Sequence, residues 1–98
     1  MENAIVAAVT NRQCLRIWYE PGWRIVEPHA FGIGSAGQFL LRVYQVEGAN
    51  ASGENVDWKL MRLDRIKSVS VLGDKFFNPR PGYKLNDKAM TRELFVQV

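Results

Sequence analysis

The residues best suited to chemistry in this chain are arginines inside an otherwise apolar stretch. In WKLMRLDRIKSVSVL, residues 58–72, Arg62, Asp64 and Arg65 interrupt a run that is rich in Leu, Met, Ile and Val and that predicts two β-strands. A guanidinium presents a rigid fork of donors that matches phosphate oxygens. These charges therefore mark a bend between two strands, face an anionic ligand, or do both.

Other predicted strands carry further candidates for the same surface. An aromatic face offers a nucleic-acid base a stacking platform worth about 1–3 kcal/mol. The structural alternatives are that Asp64 pairs with a neighbour and caps the bend, and that the aromatic candidates line the core. The predicted ligand- or nucleic-acid-binding residues are Arg62, Arg24, Arg65, Tyr19, Phe39, Arg42 and Lys59.

Motifs of the common enzyme classes are missing from the sequence. The glycine-rich GIGSAG has no following Lys and precedes a strand, so it predicts a hairpin loop and not a phosphate loop. There is no G-x-S-x-G elbow, and His29 has no Ser or Cys nucleophile beside it in sequence. One His and one Cys are too few for a structural zinc site. We therefore expect no enzymatic activity, no metal and no cofactor.

Composition indicates a small soluble domain. Its 98 residues suffice for one domain, and the net charge of +3 permits an anionic partner without requiring one. A single Cys, Cys14, fits a reducing compartment. No apolar run approaches the roughly 20 residues of a membrane span, and the polar N-terminus does not resemble a signal peptide. The expected location is the cytoplasm, with no membrane association.

The elements predicted to position these residues are one helix and several short strands. A short N-terminal helix with Asn3 as its N-cap comes first. Pro28 places the second strand at a sheet edge or a bulge, because proline cannot donate a ladder hydrogen bond. Close turn signals favour a small five-stranded antiparallel barrel. Its strands are predicted in CLRIWYE, WRIVEPHAF, FLLRVYQVE, DWKLMRL and KSVSVL.

The C-terminal segment, residues 79–98, begins with an irregular proline-rich stretch. It ends in ELFVQV, which predicts a further strand. Its Leu94, Phe95, Val96 and Val98 are too apolar to remain in water. We expect this segment to return to the barrel or to pair with a second copy of the chain.

Three segments together resemble the WYL domain of bacterial transcription and phage-defence regulators. They are CLRIWYEPGWRIVEPHAF, QFLLRVYQ and KLMRLDRI, the last closely matching the family's basic-x-aromatic-Arg-Leu-Asp-Arg-Ile run. The resemblance covers a core of about residues 3–78, with residues 79–98 as an extension. It implies a single domain with a small five-stranded antiparallel Sm-like (SH3-type) barrel and a short N-terminal helix.

The sequence departs from this family at its name-giving motif. Gln38 and Phe39 stand where the family has Trp and Tyr, and only Leu40 is kept. Arg42 replaces a residue that is usually small, and Met61 replaces an aromatic one. These differences leave the fold expectation intact and bear on the identity of the ligand.

The resemblance implies a ligand-binding regulatory domain. Its ligand would be a single-stranded nucleic acid or a nucleotide-like anion, held on a basic, aromatic-lined surface. As a short stand-alone chain without a recognition helix, it is expected to act with a partner regulatory protein. The alternative is an interaction module in which the tryptophans and ELFVQV build a homodimer or extend another sheet. Arginines converging on one groove would favour the ligand, and arginines scattered and paired with carboxylates would favour assembly.

Overall fold

One antiparallel sheet and an N-terminal helix organise the computed structural model, which describes all 98 residues. The only α-helix has 10 residues, and no helix is long and apolar enough to cross a membrane. The elements are α1 (Glu2–Asn11), β1 (Gln13–Tyr19), β2 (Gly22–Ile33), β3 (Phe39–Gly48), β4 (Asp57–Arg62), a 3-10 turn (Leu63–Arg65), β5 (Ser68–Lys75) and β6 (Glu93–Gln97).

The strands follow the order β4-β3-β2-β1-β5, and β6 pairs with β2. Every strand pair is antiparallel. Because β4 and β5 lie at opposite ends of this order, the sheet is open. The prediction of a mainly β fold with a short N-terminal helix is confirmed. The sheet has six strands where five were predicted, because ELFVQV also joins it.

Helix α1 is short and gains its stability from packing on the sheet. Ile5, Ala8 and Val9 are buried, and their spacing of three and four residues places them on one face. The N-cap position is Met1, whose carbonyl already accepts the Ile5 N–H at 3.2 Å. Asn3, predicted as the N-cap, therefore lies inside the helix.

Strand β2 is the centre of the sheet. One of its edges pairs with β3, and the other pairs with β1 over residues 22–26 and with β6 over residues 30–33. The register against β3 shifts between Pro28 and Ala30, which is where the proline predicted an edge or a bulge. The bulge alternative is confirmed, and the prediction that β2 could be an edge strand is not.

The main core lies between α1 and one face of the sheet. Met61 of β4 is 1% exposed, whereas Leu63, two residues further along the chain, is only half-buried. The reason is that β4 ends at Arg62, so the strand alternation does not reach Leu63. The fully packed members are Ile5, Ala8, Val9, Leu15, Ile17, Val26, Phe31, Leu41, Val43, Met61 and Ile66.

The C-terminal segment returns to the sheet, as predicted. Strand β6 pairs with β2, and Met90 packs with Ala30 and Leu40 in a second, smaller core cluster. The Val98 N–H donates to the His29 carbonyl oxygen at 2.9 Å. Residues 79–98 thus complete the fold of the residues before them.

Candidate functional site

Arg24 is a structural residue in this fold. It is 4% exposed, and its guanidinium donates to the backbone carbonyl oxygens of Tyr19, at 3.1 Å, and of Glu20. The same group lies 5.1 Å from the centre of the Tyr19 ring and reaches the Gln45 Oε1 at 3.4 Å. These contacts brace the turn between β1 and β2 and leave little of the Arg24 side chain accessible to solvent.

The charges of LDRI mark the bend that was one of the two predicted alternatives. The 3-10 turn begins where β4 ends, and Arg62 pairs with Asp64 across it through two contacts of 3.1 and 2.8 Å. Both side chains are largely exposed, so the pair contributes about 0–1 kcal/mol. Arg65 is exposed, and the ion pair of this turn is made by Arg62 and not by Arg65.

Tyr19 and Phe39 both pack against the main core, as their structural alternative predicted. The Tyr19 hydroxyl accepts the Arg62 backbone N–H at 3.3 Å. The Phe39 ring stacks between Phe31 and Phe95, with 6.0 Å between ring centroids in each pair. Neither ring is presented as a free stacking platform.

The last two predicted residues lie on β3 and β4. The Lys59 ammonium contacts the Ser52 hydroxyl at 2.7 Å in an exposed position. Arg42 donates to both carboxylate oxygens of Asp87, at 2.6 and 3.2 Å. The seven predicted residues therefore do not converge on one groove: Tyr19, Arg24 and Arg62 are linked, and the others are dispersed. Of the seven, Arg42 lines a pocket formed with residues 82–88.

That pocket is built where residues 82–88 lie against β3 and β4. Its volume is about 440 Å³. Trp58 and Tyr83 stack in its wall, with ring centroids 6.1 Å apart and planes inclined by 21°. Three cationic side chains and one carboxylate line it. We call this the Trp58 pocket; its lining residues are Arg42, Trp58, Gly82, Tyr83, Lys84, Leu85, Asn86, Asp87 and Lys88.

A buried polar network fixes the chain segment that forms this pocket. The Glu27 carboxylate, 7% exposed, accepts two hydrogen bonds from the Arg80 guanidinium at 2.7 and 2.9 Å. The Arg80 backbone N–H donates to the His29 Nε2 at 3.2 Å, and the Trp58 indole N–H donates to the Pro81 carbonyl oxygen at 2.9 Å. These bonds hold residues 80–83 beneath Trp58.

His29 is a structural member of this network. Its ring is 0% exposed and lies within 5.2 Å, centroid to centroid, of Trp58, Phe76 and Tyr83. Since Nε2 accepts from Arg80, Nδ1 carries the proton and donates to the Glu27 carbonyl oxygen at 2.8 Å. Burial lowers the pKa of His29, which keeps the ring neutral.

Asp87 is the carboxylate of the Trp58 pocket, and it accepts hydrogen bonds from Arg42 and from the Ala89 N–H. Burial by itself would raise the pKa of this carboxyl, but the hydrogen bonds from Arg42 and from the Ala89 N–H outweigh it, and the pKa lies below the usual value. The charged carboxylate thus holds Arg42 in place. Two further cations, Lys84 and Lys88, are exposed in the pocket lining.

The sequence contained a signal for this site that residue-by-residue reasoning missed. Tyr83, Lys84 and Lys88 combine aromatic and basic character within a segment interpreted only as an irregular extension. Their partner Trp58 is 25 positions away in sequence from Tyr83, and only the fold brings the two rings together. No group of three His, Cys, Asp or Glu side chains is arranged to hold a metal ion.

Comparison with protein-family models, with curated proteins and with solved structures finds no match to this chain.

Proposed function

We propose that this chain is a WYL-like ligand-binding regulatory domain that recognises a nucleic-acid or nucleotide-derived anion in the Trp58 pocket. One observation carries the proposal: a stacked indole and phenol lie beside Arg42, Lys84 and Lys88 in a pocket of about 440 Å³. A volume of this order suits a small ligand. The bound anion would signal to a partner regulatory protein in bacterial transcription or defence.

The chemistry of the lining fits both parts of a nucleotide. A base can pack against the Trp58 and Tyr83 rings, a contact worth about 1–3 kcal/mol per base. The ammonium groups of Lys84 and Lys88 are exposed and suit phosphate oxygens. With three cations against the one carboxylate of Asp87, the pocket favours an anion.

We propose further that the sheet curls into the Sm-like (SH3-type) barrel that the resemblance implies. Four strand spacings separate β4 from β5 in the sheet order, which amounts to roughly 19 Å in a flat sheet. The five residues that join them, 63–67, include a 3-10 turn and span less than the roughly 20 Å of a fully extended link. A connection this short is easiest to make when the two end strands approach each other, and this supports the barrel.

Isothermal titration with nucleoside phosphates and short single-stranded oligonucleotides tests the proposal. The sharpest variant is Lys84→Ala with Lys88→Ala, because both residues are exposed and the fold should survive. We expect weaker binding and, if each lysine contacts one phosphate, a log–log salt slope smaller by roughly 1.4. Lys75→Ala, which removes an exposed cation from β5, is the matched control.

A second variant isolates the aromatic wall. Trp58→Phe keeps a ring but removes the indole N–H that bonds Pro81. Affinity should fall more for ligands that carry a base than for inorganic phosphate, because both lose the bond that helps to hold residues 80–83 but only the base loses the indole as its stacking partner. If no nucleoside phosphate binds at low salt, or if removal of the lysine pair leaves its affinity unchanged, the Trp58 pocket is not the proposed anion site.

Assembly is a second candidate function, favoured by the exposed apolar side chains Phe77 and Leu85. They are 80% and 64% exposed. Two of the four predicted arginines, Arg42 and Arg62, are also paired with carboxylates, which was the expectation for an assembly module. Sedimentation velocity of the wild type and of Phe77→Ser would detect a homodimer that depends on the Phe77 side chain. A wild type that is monomeric at all concentrations would exclude self-assembly.

A further inference from the structure

A second aromatic and basic surface lies on the outer face of β1, β2 and β5. Trp18 and Trp23 are direct cross-strand partners, and so are Arg16 and Ile25. On the other side of β1, Ser68 is opposite Trp18 and Ser70 is opposite Arg16. Side chains directly opposite each other point to the same face of a sheet. We call this surface the tryptophan face; it comprises Arg16, Trp18, Trp23, Ile25, Lys67, Ser68 and Ser70.

The tryptophan face is directed away from the main core. Its neighbours along β1, Leu15 and Ile17, are fully buried, whereas Arg16 is exposed and Trp18 half-buried. Trp23 is 41% exposed, a large fraction for an indole. Two tryptophans side by side on the solvent face of a sheet call for a partner surface, because their burial in the chain's own core is incomplete.

Cations lie over both indoles. The Arg16 guanidinium carbon is 4.0 Å from the centre of the Trp23 ring, and the Lys67 Nζ is 5.0 Å from the Trp18 ring. Neither cation takes part in an ion pair, since the salt bridges of the structure join other residues. Arg16 and Lys67 therefore keep their charge available to an external anion while the rings hold them in place.

The charge of this surface selects its partner. Arg16 and Lys67 supply two positive charges beside the tryptophans, and Glu47, opposite Ile25 on β3, supplies one negative charge, so positive charge predominates around the two rings. Serine hydroxyls beside the cations add donors for phosphate or sugar oxygens. A sheet surface with adjacent aromatic rings and unpaired cations matches what a single strand requires, namely flat faces for its bases and cations for its backbone.

We infer that the tryptophan face binds a single-stranded nucleic acid, with bases on Trp18 and Trp23 and phosphates on Arg16 and Lys67. Duplex is disfavoured, because its bases are stacked on one another and cannot reach the indoles. This inference is independent of the proposed nucleotide site, since the face shares no residue with the Trp58 pocket.

Fluorescence anisotropy with labelled oligo-dT and oligo-rU of about 12 nucleotides, a length within known site sizes, tests this inference. Trp23→Ala should weaken binding on the order of 10-fold. The double variant Arg16→Ala with Lys67→Ala should also weaken it and should reduce the log–log salt slope by roughly 1.4. Lys75→Ala, on the same strand β5 but beside no tryptophan, should bind like the wild type. Glu47→Gln should bind more tightly.

Several outcomes would overturn the inference. One is an absence of oligonucleotide binding at low salt, and another is unchanged affinity in both the Trp23 and the Arg16/Lys67 variants. A third is a strand affinity that depends on Lys84 and Lys88 instead, which would place the strand in the Trp58 pocket. A fourth is a Trp23→Ala variant that changes the sedimenting mass but not the affinity, which would make the face a contact between copies. Because Arg16 and Lys67 are exposed, their double variant remains informative if Trp23→Ala fails to fold.

Discussion

Lowering the pH below 6.5 is expected to destabilise this protein through His29. It is the only histidine in the chain, and its ring is fully buried. Its Nε2 accepts the Arg80 backbone N–H at 3.2 Å. A proton added at Nε2 would turn this acceptor into a donor that faces another N–H, and the new positive charge would lie near the guanidinium of Arg80. Protonation should therefore release residues 80–83 from beneath Trp58.

The size of the effect follows from the direction of the pKa shift. Burial lowers the pKa of His29 below 6.5; the Arg80 and Arg12 charges also lower it, and the hydrogen bond to the Glu27 backbone and the Glu27 charge oppose them. Between the lowered folded value and 6.5, the unfolded chain binds more protons than the folded one. Stability is therefore complete above pH 6.5 and decreases as the pH falls, by at most about 1.4 kcal/mol per pH unit.

Urea denaturation of the wild type and of His29→Phe between about pH 5 and 8 measures this effect. Phenylalanine keeps a ring against Phe76 and Tyr83 but cannot accept the Arg80 N–H, which costs about 1–3 kcal/mol at neutral pH. The variant should be less stable at pH 7 and nearly independent of pH above 5, where carboxylates are ionised. A wild type with constant stability over this range, or a variant that retains the wild-type slope, would refute the reasoning.

Three further predictions concern the turn, the C-terminal segment and the pocket. Arg62→Ala should cost less than about 1 kcal/mol because its pair with Asp64 is exposed, whereas Leu63→Ala, half-buried against the core, should cost roughly 1–3 kcal/mol by chemical denaturation. Truncation after Tyr83 removes β6 and should lower the melting temperature by many degrees; an unchanged melting temperature would contradict the pairing of β6 with β2. Asp87→Asn should lower the free energy of unfolding by about 1 kcal/mol at pH 7. This difference from the wild type should vanish as the pH falls well below 3.8, where the carboxyl of the wild type becomes protonated. The same variant should bind phosphate more tightly in a titration.

Much of the secondary structure could be predicted because the chain obeys local rules. In β1, buried Leu15 and Ile17 flank exposed Arg16, which is the alternation that defined the strand. Pro28 predicted a sheet edge or a bulge for a local reason, the missing N–H, and the register shift beside it is the second of these. The pairing partner of β6 could not be predicted in this way, because alternation identifies a strand but not the strand it pairs with. In the structure β6 pairs with residues 30–33 of β2, on the same edge of β2 that pairs with β1 over residues 22–26.

The candidate site was predicted less well because it depends on contacts between distant segments. Trp58 belongs to β4, whereas Tyr83 follows the last proline of an irregular stretch, and the network of Glu27, His29 and Arg80 brings them together. The sequence shows that His29 has no nucleophile beside it, but nothing in the pattern identifies Arg80 as its hydrogen-bond partner. A proline-rich segment carries no periodicity, so its docking position could not be inferred from pattern.

The unpaired positive charges of the Trp58 pocket belong to lysines and not to the arginines predicted as ligand-binding residues. Ion pairing within the chain explains this difference. Arg42, Arg62 and Arg80 each donate two hydrogen bonds to a carboxylate, because the guanidinium fork fits a carboxylate as well as a phosphate. The chain has 10 acidic residues, and its arginines are therefore the cations most readily engaged in ion pairs with the chain's own carboxylates. A phosphate entering the Trp58 pocket would meet the exposed lysines first and reach Arg42 only in competition with Asp87. This competition is the reason that Asp87→Asn should lower stability and raise affinity at the same time.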